Sequence, residues 1–434
     1  MKKVLIITYY WPPGTGAGVL RWLKLSKYLG DSGWESIVYT PENPEAQGTD
    51  HSLEKDIAGS TTVLRRPIKE PYGIYKMLTG RRKSERIQSG FLSEDKRGGF
   101  TEKLSVWIRG NLFIPDARRL WVRPSVKYLS GWLEKNPVDA IVSTGPPHSM
   151  HLIAMKLKES LGIPWLADFR DPWTQIDFYD KLMLGKRADS KHKELEKKVL
   201  SRADKLVTVS ENCARGLEKI GGRTTEIVTN GFDPEDFRDL PGTDYGRFII
   251  MHLGSMNADR NPAVLFRVLS DLVKENSFFR DNLRIVFTGK TDFTVKESVV
   301  KYGLSDYLRF DPPLPYREAL RKAARSAVLL LPLNNTKNVK GITTGKLFDY
   351  IALKRPVLCI GPPDGDAARI IGKTNSGLTA GFEDYEVCRE ILLKFSENFK
   401  KRKTWPVNED MLAQYDRRAL STRIAGLLNQ ISRS

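Results

Sequence analysis

Cysteine is scarce. Cys213, Cys359 and Cys388 are the only three in 434 residues, odd in number, far apart and in no CxxC pair, which argues against a disulfide framework or a zinc site. Long apolar runs are missing too. The opening Val4-Leu5-Ile6-Ile7 stops at Thr8, whereas a secretory core needs roughly 7–15 apolar residues and a spanning helix about 20. The chain is therefore expected in the cytoplasm, whose reducing conditions suit its thiols. With no glycine period, no low-complexity tract and 40 % hydrophobic residues, collagen-like and disordered classes are excluded. The length suggests two or three globular domains.

Acidic residues fall short of basic ones, 52 against 70, a formal net charge of +18. Such an excess points to an acidic partner: nucleic acid, an anionic membrane surface or a phosphorylated substrate. Residues 61–130 alone hold 16 Lys and Arg against 6 Asp and Glu, with clusters at Arg81-Arg82-Lys83 and Arg118-Arg119. Residues 78–100 read as a mobile loop.

What is present is alternation. Short Val- and Ile-rich runs (Lys3–Thr8, Ser36–Tyr39, Ala140–Ser143, Pro164–Ala167, Lys205–Val209, Glu226–Val228, Phe248–Leu253, Arg284–Thr288, Val328–Leu331, Pro356–Ile360) are separated by stretches of helical period such as Gly18–Leu29, Lys191–Leu200 and Lys346–Leu353. This predicts an α/β fold with parallel sheets covered on both faces. The alternation restarts after the polar, turn-rich Arg238–Gly246, which reads as a linker between two doubly wound domains with a cleft between their strand ends. Ala419–Ile431 continues at helical spacing with no strand after it.

Familiar motifs are incomplete. Pro12-Pro13-Gly14-Thr15-Gly16-Ala17-Gly18 has Val19 where the third glycine of GxGxxG belongs, so it is either a phosphate- or sugar-facing loop, with Gly16 as the contact, or a plain strand–helix turn. Gly289-Lys290-Thr291 and Gly372-Lys373-Thr374 lack the leading glycine of a P-loop. Asp364-Gly365-Asp366 is either a metal-holding DxD or, the favoured reading, a turn with Asp366 capping a helix. Of five histidines only His148 and His151 sit together; His148 follows a strand and either faces a site or caps a helix. Asp168-Phe169-Arg170-Asp171-Pro172-Trp173 follows another and suits either hydroxyl recognition or a self-satisfied Asp–Arg pair. In the second half, Arg260 follows a strand and Lys346 begins a helix, where a cation opposes the macrodipole by about 0.3–1 kcal/mol unless an anion binds. Asp349, three residues on, is a candidate ribose ligand or an ordinary first-turn acid.

Together with Val207-Thr208-Val209-Ser210-Glu211, Asn230-Gly231-Phe232-Asp233, Leu304–Phe310 and Lys346-Leu347-Phe348-Asp349-Tyr350-Ile351-Ala352, these motifs resemble the GT-B glycosyltransferases of family GT4 type over nearly the whole chain. The resemblance implies two Rossmann-like domains facing a central cleft: an acceptor-side domain over residues 1–240, with the terminal helix 415–434 packing back on it, and a nucleotide-sugar domain over 241–414. It implies retaining, metal-independent transfer of a hexosyl-type sugar from a nucleotide-diphosphate donor, a UDP-sugar by default, to a glycan or lipid-linked acceptor in bacterial cell-surface polysaccharide synthesis. No cofactor and no nucleic-acid partner are expected. Arg260 matches the family's diphosphate-binding position and Asp349 the ribose-holding acid. The acid expected at Gly341 and the base expected at Ser255 are missing, which shifts their duties to Thr344, Gly345, Lys346 and Asp171, with His148, Asp171, Arg260 and Lys346 the catalytic candidates.

The basic stretch, interleaved with Tyr72, Tyr75, Trp107, Phe113 and Trp121, suits peripheral binding to the anionic inner face of a cell membrane. Competing readings are a GT-B sugar-nucleotide epimerase, a metal-dependent transferase using Asp364 and Asp366, and a non-enzymatic protein binding nucleic acid or membrane through its basic surface.

Overall fold

The computed structural model describes residues 1–45, 48–70, 106–108 and 110–432; the loop expected at 78–100, with Arg81-Arg82-Lys83, and the aromatics Tyr72 and Tyr75 lie outside them. The chain forms two units, Met1–Thr229 with Arg417–Ser434, and Asn230–Asp416.

The first unit is built on a seven-stranded sheet, β1 (Lys2–Ile7), β2 (Trp34–Pro41), β3 (Thr62–Arg66), β4 (Ala140–Gly145), β5 (Trp165–Phe169), β6 (Lys205–Thr208) and β7 (Glu226–Ile227), in the order β3-β2-β1-β4-β5-β6-β7. All neighbours are parallel; β1 pairs Val4 with Ser36 of β2 and with Ala140 of β4. Val4, Leu5, Ile6 and Ile7 are all fully buried because both faces of the sheet carry cores. One of these cores includes the terminal helix Arg417–Ile431, whose Leu420, Ile424 and Leu428 recur every four residues and pack with Val4, Ile6 and Trp22. Ser421 Oγ adds a 2.9 Å bond to the carbonyl of Leu25.

The second unit repeats the plan with six parallel strands, β8 (Phe248–Leu253), β9 (Leu283–Thr288), β10 (Leu308–Asp311), β11 (Val328–Pro332), β12 (Val357–Ile360) and β13 (Gly377–Ala380), in the order β10-β9-β8-β11-β12-β13. In each sheet the strand order reverses beside the first strand, between β1 and β4 and between β8 and β11. Doubly wound folds place their ligands at that reversal.

The boundary differs from the expected one at 240. Phe232 is buried against Leu331, Leu347 and Phe348 of the second unit, with Phe237 and Leu240 packed on the same cluster. The amide of Phe232 donates to Tyr415, 3.0 Å. Residues 230–240 therefore belong with the second unit, and Arg238–Gly246 lies inside it. The return falls after Asp416 rather than at 415.

Candidate functional site

In the second unit, the loops leaving β8 and β11 meet at the strand-order reversal. Arg260 donates from Nε to Asn334 Oδ1 at 2.6 Å and from a terminal nitrogen to the Ser255 carbonyl at 3.1 Å. The amide of Asn335 closes the same gap onto Asp259, 2.9 Å. The helix Gly345–Ala352 starts above these loops with Thr344 as its cap residue. Thr344 makes no side-chain capping bond, and the first turn holds no acid. Among the described residues, the buried hydroxyls of Thr343 and Thr344 have no hydrogen-bond partner. A helix start with free amides and idle hydroxyls is an anion site in waiting.

Lys346 crosses directly over Gly254, where an added Cβ would come within 2.7 Å of its Cε. Its ammonium donates to His252 Nε2 at 3.3 Å. The ring takes this proton because its other nitrogen, Nδ1, is 3.0 Å from the Leu330 carbonyl and must carry the N–H. Burial, then the Lys346 charge, keeps His252 well below the ordinary histidine range. Burial and the Arg260 charge likewise hold Lys346 well below the usual lysine range. Two cations that repel each other across one loop would be relieved by a polyanion. Asp349 Oδ1 accepts from Tyr316 Oη at 2.8 Å; it lies beyond the first turn, so the reading as a first-turn acid does not hold.

In the first unit the strand ends of β1, β4 and β5 are locked by Arg170. Its guanidinium stacks on Tyr10, 5.4 Å from the ring centre, and donates to the Pro146 carbonyl. A Cβ at Gly18 would collide with both, at 2.5 Å from Arg170 and 2.8 Å from Tyr10, so this glycine serves packing. Gly16, by contrast, has φ +112° and precedes the helix Ala17–Leu29, which has no side-chain cap and no acid in its first turn. His148 precedes the helix Ser149–Leu161 but makes no capping bond. It is buried, its ring stacks on Trp173, and burial, with the Arg170 charge beside it, holds it well below the ordinary histidine range. Asp171 is exposed beyond β5.

Several expectations need correction. β5 runs through Phe169, so Asp168 lies inside the strand, fully buried. It is satisfied by Arg21 (2.7 Å), Trp22 Nε1 (2.7 Å) and Thr144 Oγ1 (2.8 Å), and recognises no ligand hydroxyl. The carboxylates of the DxD candidate are both engaged by cations, Asp364 by Lys340 and Asp366 by Arg369. Gly365, not Asp366, caps the helix Asp366–Lys373. Trp121 belongs to the core, stacked on Tyr39 at 4.8 Å, not to a membrane face. Arg118 is tied to Glu70 at 2.9 Å and covers the ring of Tyr9.

The family model described as Glycosyltransferase Family 4 matches residues 19–236, half of the chain. The chain belongs to glycosyltransferase family 4. No curated protein matches this glycosyltransferase by sequence. Among solved structures, it is similar to a sucrose-phosphate synthase from Thermosynechococcus elongatus, with TM-score 0.64, 12 % identity and 99 % of each chain covered. It is also similar to HepE of Anabaena in complex with UDP, with TM-score 0.63, 12 % identity, and 99 % of this chain and 100 % of that one covered. A third is WaaG, a glycosyltransferase of lipopolysaccharide biosynthesis, with TM-score 0.59, 14 % identity, and 98 % and 99 % covered. The glycosyltransferase thus has the GT-B fold, two Rossmann-like domains. Among the described residues no helix is long and apolar enough to cross a membrane.

The structure adds site residues that the sequence did not single out. Asn334 positions Arg260, His252 supports Lys346 and Tyr316 holds Asp349. His252 had one signal available, a lone polar residue at a buried position of the apolar run Phe248–Leu253.

Proposed function

We propose that this family 4 enzyme transfers a sugar, with retention of anomeric configuration, from a nucleotide-diphosphate sugar to a glycan or lipid-linked acceptor. The observation that carries this reading is the meeting of Arg260, Lys346 and the uncapped start of Gly345–Ala352 at the strand-order reversal of the second unit. Negative charge grows on the leaving diphosphate as the glycosidic bond breaks, and prearranged cations and amides there lower the barrier. The acceptor hydroxyl attacks on the face the diphosphate leaves, and its proton passes to a phosphate oxygen, so no protein nucleophile or metal is called for. Asp349 retains lone pairs for a ribose beside its bond to Tyr316. Gly16, His148 and Asp171 lie at the strand ends of the first unit and serve the sugar or the acceptor. HepE, solved with UDP and with UDP-glucose, supports a UDP-sugar as the donor.

A peripheral membrane role also belongs to this proposal, in bacterial surface-polysaccharide synthesis on the cytoplasmic side. Trp107, Leu112 and Leu120 are exposed, as are Arg119 and Arg123, a mixture that suits anionic headgroups.

The test is calorimetric titration and thermal shift with UDP, GDP, ADP and their sugar conjugates, with and without EDTA, on the wild type, Arg260→Ala and Lys346→Ala. One nucleotide should bind without metal. Each substitution removes a charge-assisted contact of about 1.5–3 kcal/mol, weakening Kd roughly 10- to 100-fold. Equal affinity in both variants would sink the site. Donor alone yielding an isomerised nucleotide sugar would mark an epimerase instead.

A further inference from the structure

His148 is held in place without a hydrogen bond at Nδ1: among the described residues that buried nitrogen has no partner. The plane of the ring is set by packing instead. The indole of Trp173 lies parallel to it, 4.7 Å between centres and 4° between planes. Phe169 and His151 touch the ring less squarely, at 6.0 Å and 33° and at 5.7 Å and 34°. Trp173 sits in the short loop after β5, and a loop residue holds a plane only if something holds the loop.

The helix Lys186–Arg202 does so from one face. Trp173 Nε1 donates to His192 Nδ1 at 3.0 Å. Because an indole N–H can only donate, His192 keeps its own proton on Nε2, which reaches the Gly110 carbonyl at 3.4 Å. Four residues along the same helix, Glu196 is fully buried. Its two oxygens take Thr174 Oγ1 at 2.5 Å and the Thr174 amide at 3.3 Å. Burying a carboxyl and an imidazole is costly, and both are spent on two adjacent loop residues. A hydrophobic contact would anchor the loop as firmly without fixing the angle of an indole.

We propose that Trp173 is a positioning residue for His148, clamped by His192 and, through Thr174, by Glu196, so that the imidazole presents one fixed plane to the sugar substrate. This rests on the reading that His148 meets substrate. It adds a specific expectation: ring orientation at position 148 is supplied by residues 25 to 48 positions further on.

The experiment uses full-length protein labelled at its five histidines, with NMR of the ring protons and a transfer assay using the nucleotide sugar that binds best. The His148 signals, assigned through His148→Gln, should show an aromatic ring-current shift. Trp173→Leu should remove most of that shift, leaving the smaller part due to Phe169 and His151, and lower kcat by about 10- to 100-fold, with KM for the donor nearly unchanged. Trp173→Phe, which keeps a ring but not the N–H, should restore part of both. Thr174→Val, the milder variant should Trp173→Leu fail to fold, should move the same signals by less. Unmoved His148 signals in Trp173→Leu would overturn the proposal, as would moved signals with undiminished kcat. If wild-type protein transfers no sugar at all, the proposed function fails while the NMR arm still decides the clamp. Full activity in His148→Gln would remove the role of His148 and leave Arg260 and Lys346 to be judged by their own titrations.

Discussion

Asp168 shows how much one buried carboxylate can organise. Arg21 grips it with two nitrogens, 3.0 Å to Oδ2 and 2.7 Å to Oδ1, and sends another pair of bonds to the carbonyls of Val228 and Thr229. Trp22 and Thr144 fill the remaining acceptor positions. The charge is thus matched and fully hydrogen-bonded, the condition under which a buried pair is tolerated. Asp168→Asn removes the charge and leaves the guanidinium of Arg21 buried and uncompensated. The expected loss is about 3–5 kcal/mol, read as a lower unfolding midpoint of the first unit in urea. Arg21→Lys should also destabilise it, since an ammonium cannot reproduce the planar fork. An Asp168→Asn variant as stable as wild type would show that the pair contributes nothing net. The sequence showed an acid, a base and an aromatic at one strand end, which suited ligand recognition equally well. What it could not show was that the partner of Asp168 is Arg21, 147 positions away, rather than its neighbour Arg170.

At the scale of elements, the turn after β8 decides whether the diphosphate site can exist. Gly254 has φ +90°, a region that L side chains avoid, and a Cβ there would press on Lys346. Gly254→Ala should cost about 1–3 kcal/mol in backbone strain and push the lysine off the strand end. Nucleotide affinity should then fall as far as in Lys346→Ala, measured by titration calorimetry on protein whose circular dichroism is unchanged. Wild-type affinity in the alanine variant would mean that the lysine does not need this path. The periodic elements were legible: the apolar runs at Phe248–Leu253 and Val328–Leu331 became β8 and β11 almost residue for residue. β3, Thr-Val-Leu-Arg-Arg, was not, since it is an edge strand with two exposed arginines and no apolar run. Nor was β13, whose four residues are only half apolar. Lys346 and Arg260 could be picked out by their placement after a strand and in a first turn. Asn334 could not, because its role follows from which strands lie side by side, and His252 stood out only as a lone polar residue in an apolar run.

For the whole molecule, the net charge of +18 does not say where the positive surface lies: Arg118 is held on Glu70, and Arg66 lies over Tyr128. The histidines make a sharper whole-molecule statement. His148, His151, His192 and His252 are all buried, and burial pushes each below the ordinary range, His151 to about 3. An unfolded chain takes up these protons near pH 6.5 while the folded chain does not. The unfolded state therefore binds more protons below that pH, and stability must fall as pH falls. Each histidine adds about 1.4 kcal/mol per pH unit until its folded value is reached. Asp168 acts later in the same direction. Arg21 and the surrounding hydrogen bonds hold its folded value below the usual carboxylate range despite burial, so its contribution is present above about pH 4 and is lost as pH drops through the folded value. Thermal midpoints should accordingly be level between about pH 7 and 8, decline already between about pH 6.5 and 5, and steepen below about 4. Calorimetric scans across that range separate the two causes. Glu70 and Glu196, whose folded values burial raises, work the other way, so a midpoint that stays level down to about pH 4.5 in the wild type and in Glu196→Gln alike would mean that the folded protein protonates these histidines after all, and hence that the interiors around His148 and His252 open to water.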